Sequence, residues 1–237
     1  MRSFTLLCFL CFIHMNAWAF QKTLTTSQFY EQIINAKSKQ FTLKNIELKD
    51  DIGALLDQGK DFYKALGEKI ETRVRYDSMG LITNVQSLRL EGISGTTLEL
   101  KHLNIDSITI RRVTFNDLWL SHLRTNDLHI DSSKVVNAIR LENSFVGSFE
   151  MATNEMADFI QNFNEYKQHV MILLNKVSGM FFVNDCLFKE GAYLSADVDG
   201  AFIDFAVERC VFEPIDSALP IPVNPDTGEE VIMKSQL

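Results

Sequence analysis

The run from Leu88 to Ile130 reads LRLEG ISGTT LELKH LNIDS ITIRR VTFND LWLSH LRTND LHI when it is divided into groups of five. The first residue of every group is aliphatic, and the third is apolar in most groups. The fourth and fifth residues are never apolar. In a chain of 237 residues of which 46% are apolar, this regularity indicates a five-residue structural repeat.

The order of side chains within each group predicts a short strand followed by a corner. Its first three residues alternate apolar, variable and apolar, which places both apolar side chains on one face of an extended strand. A longer strand would continue the alternation, but a polar pair interrupts it every five residues. The chain is therefore expected to wind into a β-solenoid with stacked coils. The side chains predicted to be buried are Leu103, Ile108, Val113, Leu118 and Leu123, and those predicted to be exposed are Arg111, Arg112, Asn116 and Asp117.

The same pattern recurs elsewhere in the chain. A short copy stands at 41–48, a second copy runs over 139–151, and a third copy runs over 181–203. These copies predict a β-repeat domain over residues 81–213.

Residues 1–19 have the features of a secretory signal peptide. Arg2 precedes an apolar run over 4–13, and Ala17 and Ala19 provide the small-residue cleavage pattern. The apolar run is much shorter than the ~20 residues that span a bilayer. The sequence therefore predicts a periplasmic or secreted protein with no transmembrane span after cleavage.

Three segments depart from the five-residue pattern. Residues 20–80 are expected to form an N-terminal cap of helices and strands, with helices near 27–37 and 51–70 that shield the strand edges of the solenoid. A helix-like spacing of apolar residues predicts a further helix near 153–175. All four prolines lie within 214–237, which is therefore expected to be a tail or a hairpin.

These residues resemble the pentapeptide-repeat family, whose members are right-handed, four-sided solenoids that act mainly as binding or mimicry scaffolds. That family prefers a small residue at the first inward position of each group. Cys186, Gly191, Ala196 and Ala201 match this preference, whereas the aliphatic residues of 88–128 do not. Large residues at both inward positions would overfill a narrow coil. The first block is thus expected to form a wider coil or an open groove.

An open groove would be similar to the elongated β-groove of exported LmeA-type lipid-binding proteins. The resemblance covers residues 80–210 and rests on the Leu-x-Leu-like segments at 107–110 and 117–120, followed by the predicted helix. It implies an alternative fold, an antiparallel lipid-binding groove with a covering helix.

Cys186 and Cys210 are the two cysteines outside the predicted signal peptide. Their surroundings match, since 181–188 and 205–212 share the same spacing of Phe, Val and Cys. In an oxidising compartment two thiols permit one disulfide, for which Cys186 and Cys210 are the candidates. The alternative is two buried, inert thiols on one face of the β structure.

The sequence contains no arrangement that identifies a metal, cofactor or catalytic site. His102 and His122 are four groups apart and are expected to stack at a corner, but two ligands do not complete a metal site. Asp117, Asp127 and the pair Arg111–Arg112 resemble the charged surface of β-helical polysaccharide lyases, yet no spacing singles out a catalytic pair. We therefore predict no metal, no cofactor and no catalytic residue.

Charge and pattern together define the expected function. The net charge of -8 offers no basic face, which disfavours nucleic acid as a partner. We expect an exported, non-catalytic β-repeat protein of the cell envelope, a binding or interaction scaffold for a protein or another envelope component. The alternatives are a periplasmic lipid-binding or lipid-transfer protein and a β-helical polysaccharide-active enzyme.

Overall fold

The five-residue groups become the sides of a four-sided parallel β-solenoid of about seven turns. A computed structural model describes residues 22–51, 78, 81–168, 170–190, 192–197 and 204–213. Within these ranges the chain forms one helix and nineteen strands. They are β1 (Lys22–Thr25), α1 (Thr26–Ile34), β2 (Gln40–Lys44), β3 (Ile46–Lys49), β4 (Ser87–Glu91), β5 (Ser94–Gly95), β6 (Thr97–Lys101), β7 (Ser107–Arg111), β8 (Thr114–Ser121), β9 (Arg124–Asp131), β10 (Lys134–Glu142), β11 (Phe145–Ala152), β12 (Glu155–Asn162), β13 (Glu165–Tyr166), β14 (Val170–Val177), β15 (Met180–Asn184), β16 (Leu187–Phe188), β17 (Ala192–Asp197), β18 (Asp204–Glu208) and β19 (Val211–Phe212).

Each turn has four sides, which we call faces A to D in chain order. In the turn that begins at Leu88, face A holds 88–90, face B 93–95, face C 98–100 and face D 103–105. Each side pairs with the same side of the next turn. Successive turns therefore bury their apolar side chains in one continuous interior.

From Leu88 onward, the last described turn is longer than the early ones. Leu88 pairs with Ile108 and Ile108 pairs with Leu128, so these two early turns are equally long. The last turn is longer, because Phe181 pairs with Phe205.

All the strand pairs of the described ranges are parallel. The alternative of an antiparallel lipid-binding groove is therefore wrong, because adjacent strands are one full turn apart and run in the same direction.

The interior is filled by the residues that the repeat predicts. The five side chains expected to be buried are at most 1% exposed. Arg111, Arg112 and Asn116 are exposed as expected, whereas Asp117 is half-buried. The small third residue Gly95 makes room for a large neighbour, since a Cβ there would lie 2.8 Å from Cε1 of Phe115 in the next turn.

Two of the four corners are made by residues with left-handed backbone conformation. Each is the last residue of a five-residue group, and most are polar residues or glycine, which tolerate a positive φ better than bulky apolar ones. The corner between faces A and B uses Asn45, Gly92, Arg112, Ser132 and Thr153. The corner between faces C and D uses His102, His122, Asn143, Phe163, Asp185 and Arg209.

The predicted helix near 153–175 is wrong, because this segment forms strands β12, β13 and β14. Its inward positions continue the five-residue pattern, but several are occupied by buried polar residues that hide the pattern from a search for apolar ones. Those residues are Asn154, Gln161, Asn164 and Asn175, each at most 2% exposed. Thr153 is a left-handed corner rather than a helix N-cap.

The three buried asparagines of this segment can replace aliphatic residues because their side chains bond to backbone groups of the neighbouring turn. On face B, the backbone N–H of Val113 donates to Ser133 Oγ, and that of Ser133 donates to Asn154 Oδ1, at 3.2 and 2.9 Å. On face D, the N–H of Ser144 donates to Asn164 Oδ1 at 3.0 Å. These bonds satisfy the backbone N–H group of the residue that follows each corner, and they compensate for the burial of the polar side chains.

The N-terminal helix covers the first strand of face C. It is predicted for 27–37 and is observed as α1, with a capping box between Thr25 and Gln28. Tyr30 is fully buried, and its hydroxyl donates to the carbonyl of Glu99 and accepts from the N–H of Lys101, at 3.1 and 2.9 Å. The helix thus satisfies backbone groups of β6, and the cap over 20–80 as a whole stays a prediction because 52–77 lie outside the described ranges.

Several predictions fall on residues outside the described ranges. They are the signal peptide over 1–19, the main part of the helix near 51–70, and the tail or hairpin over 214–237. Within the described part of the chain, no helix has both the length and the apolar character needed to cross a bilayer.

Candidate functional site

The two corner histidines stack as predicted. The rings of His102 and His122 are 4.7 Å apart between centroids and inclined by 27°. The next residue at the same corner is Asn143. Among the described residues, no three His, Cys, Asp or Glu side chains are grouped so that they could hold a metal ion.

The charged residues singled out in the sequence lie at three different corners of the coil. Asp117 begins face C and accepts a hydrogen bond from Asn137 Nδ2 at 3.1 Å. Asp127 begins face A and accepts from Ser148 Oγ at 2.6 Å. Arg111 and Arg112 lie between faces A and B. The structure therefore does not bring these carboxylates and guanidinium groups together into one cleft.

The corner between faces A and B carries a network of ion pairs instead. Glu91 is buried and faces Arg112, Lys44 Nζ at 3.0 Å and Arg89 at 3.4 Å. One turn on, Arg111 Nε donates to Asp131 at 2.8 Å. Each cation meets a carboxylate, so this corner joins adjacent turns electrostatically.

The most unusual surface is a group of outward-facing apolar side chains on faces C and D of the later turns. Phe145, Phe163 and Val211 are 41%, 59% and 56% exposed, and Phe182 and Leu187 are half-buried beside them. We call these five residues the apolar patch. Large exposed apolar side chains that cluster mark interaction sites more often than isolated ones do.

Strand register places the members of the patch in neighbouring turns. On face D, Phe145 pairs with Glu165, Glu165 with Leu187, and Leu187 with Val211. Adjacent strands are ~4.8 Å apart, so this row is ~14 Å long. Phe163 stands at the corner that joins this row to Phe182 on face C.

The one charged residue within the row is neutralised. Glu165 lies between Phe145 and Leu187, and its carboxylate is 2.6 Å from Lys189 Nζ. The patch therefore presents apolar side chains around a paired carboxylate.

Earlier turns have polar or covered residues at the same outward positions. On face D the position of Phe145 is taken one turn earlier by Arg124. On face C, Trp119 lies beneath Lys101, whose Nζ is 3.7 Å from the ring centroid. The apolar surface on these two faces is thus concentrated toward the C-terminal turns.

The two cysteines occupy equivalent positions in adjacent turns. Leu187 pairs with Val211, and the N–H of Val211 donates to the carbonyl of Cys186 at 2.9 Å. Both are free thiols in this structure, with Cys186 buried and Cys210 half-buried. The disulfide between them stays a prediction.

The apolar patch is not evident from the inward positions of the repeat, on which the predicted fold rests. A signal was present in the middle residue of three groups. In Ser144–Phe145–Val146, Cys186–Leu187–Phe188 and Cys210–Val211–Phe212, the outward residue is apolar as well. Since both faces of such a strand carry apolar side chains, one of them must face outward.

Comparison with protein-family descriptions, with curated proteins and with solved structures returned no match for this chain.

Proposed function

We propose that this chain is an exported, non-catalytic binding scaffold of the cell envelope, and that the apolar patch on faces C and D holds a protein partner. The observation that carries the proposal is the exposure of Phe145, Phe163 and Val211 on adjoining surfaces of one rigid solenoid. Burial of such side chains against a partner would remove apolar surface from water, which favours binding.

The architecture supports a scaffold in two ways. Hydrogen-bonded neighbours hold each strand of faces C and D, so the patch is ordered before a partner arrives and little conformational entropy is lost on binding. A coil of four five-residue sides also shares its geometry with the pentapeptide-repeat scaffolds that the sequence resembles. The signal-peptide pattern in residues 1–19 supports export to the periplasm or beyond.

The packed interior disfavours lipid binding inside the solenoid. Leu88, Leu90, Leu100 and Leu120 are 0% exposed and fill the coil where an internal groove would have to open. A lipid could contact only the outer surface, so the experiment below distinguishes a protein partner from a lipid.

A photo-crosslinking experiment tests the proposal in the cells that make the protein. Benzoyl-phenylalanine is placed at 163, within the patch, or at 129 on face A, where His129 also faces outward. We expect one discrete protein adduct from position 163 and none from position 129.

The predicted signal peptide is tested on the same purified chain, whose N-terminus is expected at Phe20.

Substitutions taken from the preceding turn provide matched variants. Phe145→Arg introduces the residue that Arg124 supplies one turn earlier, and it should reduce the adduct from position 163 at least tenfold. His129→Thr introduces the residue that Thr109 supplies one turn earlier on face A, and it should leave the adduct unchanged. Equal adducts at both positions, or none at 163, would contradict a protein-binding patch. An adduct with the mass of a phospholipid would favour the lipid alternative.

A further inference from the structure

The C-terminal turns contain a pair of thiols in adjacent positions of the same inward row. Phe181 pairs with Phe205 and Leu187 with Val211, so the register keeps Cys186 beside Cys210. Cys210 also contacts the preceding turn directly, since its thiol donates to the carbonyl of Val183 at 3.6 Å. In-register strands are ~4.8 Å apart, which falls within the ~4.4 to 6.8 Å between Cα atoms that a disulfide requires.

The surroundings of the two thiols differ. Each thiol donates to the carbonyl two residues before it, at 3.2 Å for Cys186 and 3.3 Å for Cys210, but Cys186 is buried whereas Cys210 is half-buried at the last described turn. The hydrogen bond with Cys186 lowers the pKa of Cys210 to about 7, against the opposing effect of burial. The same hydrogen bond, together with burial, raises the pKa of Cys186.

The charged and titratable groups around the pair act in opposite directions on Cys210. Asp185 disfavours its thiolate and Arg209 favours it. These two residues are paired with each other at 2.7 Å, and Tyr166 lies on the inner side with its pKa raised by burial. A reactive thiol thus stands next to an unreactive one, which is the order needed for a two-step exchange.

We propose that Cys186 and Cys210 form a thiol–disulfide exchange site that reacts with an external disulfide and closes into a bridge between the last two turns. The Cys210 thiolate attacks one sulfur of the external disulfide, so that a mixed disulfide forms and one external thiolate leaves. Cys186 then loses its proton and attacks Cys210 Sγ, so that the Cys186–Cys210 bond forms and the second external thiolate leaves. The chain is oxidised by two electrons, and the external disulfide is reduced to two thiols.

Closure would change the stability of the C-terminal end locally. The bridge spans the same two turns as the ion pair between Asp185 and Arg209, and it would hold β18 and β19 against the turn before them. In a repeat fold each turn contacts only its neighbours, so a covalent tie at the last turn suppresses fraying there. We expect amide exchange in β18 to slow by about 10- to 100-fold on oxidation. The cysteines pack against the core, whereas Leu187 and Val211, which follow them in the apolar patch, face outward.

The test treats the purified chain, expected to begin at Phe20 and so to lack Cys8 and Cys11, with oxidised glutathione and follows each cysteine by peptide mass. The wild-type chain is expected to yield the Cys186–Cys210 bridge, with a loss of two hydrogens and no lasting glutathione adduct. Cys186→Ser should accumulate glutathione on Cys210, whereas Cys210→Ser should react at least tenfold more slowly. Serine is a matched replacement because Ser144 occupies the same inward row two turns earlier.

The reactivity of the unfolded chain controls for intrinsic differences between the variants. In guanidinium chloride the two serine variants should react at equal rates, which attributes any difference in the folded state to its geometry. A wild-type chain that stops at a glutathione adduct would overturn the proposal. So would a folded Cys210→Ser chain that reacts as fast as Cys186→Ser. These outcomes would leave the protein-binding patch unaffected, so the two proposals fail separately.

Discussion

The side-chain oxygen of Asn175 accepts two hydrogen bonds from Asn154 in the preceding turn. The backbone N–H of Asn154 donates one and the side-chain amide of Asn154 donates the other, both at 3.0 Å. The amide of Asn175 in turn donates to the carbonyl of Met151 at 2.9 Å. Both asparagines are almost completely buried. The pair therefore connects two turns through groups that water does not reach.

Replacement of Asn175 by alanine should destabilise the protein substantially. The change leaves two donors of Asn154 and one backbone carbonyl buried without their partner, and we expect a loss of ~2 to 5 kcal/mol in the free energy of unfolding. Asn137→Ala is the control, since Asn137 is exposed and its side chain bonds to that of Asp117; it should cost less than ~0.5 kcal/mol. Chemical denaturation measures both. Equal losses would show that the buried asparagines contribute no more than a surface residue.

Gly147 should not tolerate even a methyl group. A Cβ at this position would lie 2.1 Å from the carbonyl oxygen of Asn126 in the preceding turn and 2.9 Å from its Cα. Because these atoms belong to the backbone, the two turns would have to separate, and we expect Gly147→Ala to cost ~1 to 3 kcal/mol. Val136→Ala, which removes a side chain that is 54% exposed, should stay within ~0.5 kcal/mol by the same measurement. A Gly147→Ala chain as stable as the wild type would exclude this close approach.

Asp131 gives the stability of the protein a dependence on acid. Burial tends to raise the pKa of this carboxyl, but hydrogen bonds from Ser132 and Thr153 and the pairing with Arg111 outweigh burial and lower it. A lowered carboxyl pKa stabilises the folded state above the unfolded value of ~3.9, and the contribution is lost as the pH falls through the folded value. The difference in unfolding free energy between the wild type and Asp131→Asn should therefore be largest near neutral pH and should narrow below about pH 4. A difference that stays constant between pH 7 and pH 3 would refute this role.

Phe163→Asn should leave the stability unchanged or increase it by up to ~1 kcal/mol, because Phe163 has a φ of 54°, a conformation that is unfavourable for a bulky side chain and tolerated by asparagine. Asn143 already holds the equivalent corner one turn earlier. A β-branched residue is the contrasting variant, since Phe163→Ile should destabilise. Thermal unfolding of the two variants checks the expected order, and the reverse order would contradict the assignment of this corner.

The sequence predicted the turns whose inward positions are aliphatic. The spacing of Leu88, Ile108 and Leu128 is local enough to be read directly, because each five-residue side repeats the same chemistry as its neighbours. It predicted helix where Asn154, Gln161 and Asn164 face inward. Asn154 and Asn164 are tolerated there because their partners lie one turn away, and a local pattern does not detect partners that are about twenty residues apart.

The candidate site was less accessible to sequence reasoning. The separation of Cys186 and Cys210 predicted their proximity correctly, since it equals the length of the last turn, from Phe181 to Phe205. The apolar patch combines residues from several turns and two faces. Its members meet only after the lengths of the individual turns are known, and these lengths vary with the residues that each corner contains.

The uniform spacing of the early turns has a consequence for how this chain can vary in length. From Leu88 to Ile130 every corner recurs at the same interval, the one that separates Gly92 from Arg112, so a copy of one such coil could be inserted without changing the register of any other. The insertion would lengthen the axis by ~4.8 Å and shift the C-terminal turns as a rigid body. Beyond Ile130 the coils differ in length, and the same operation would misplace corners. Duplication and loss of coils in related chains are therefore expected to concentrate in the early segment, where every coil contains the same number of residues.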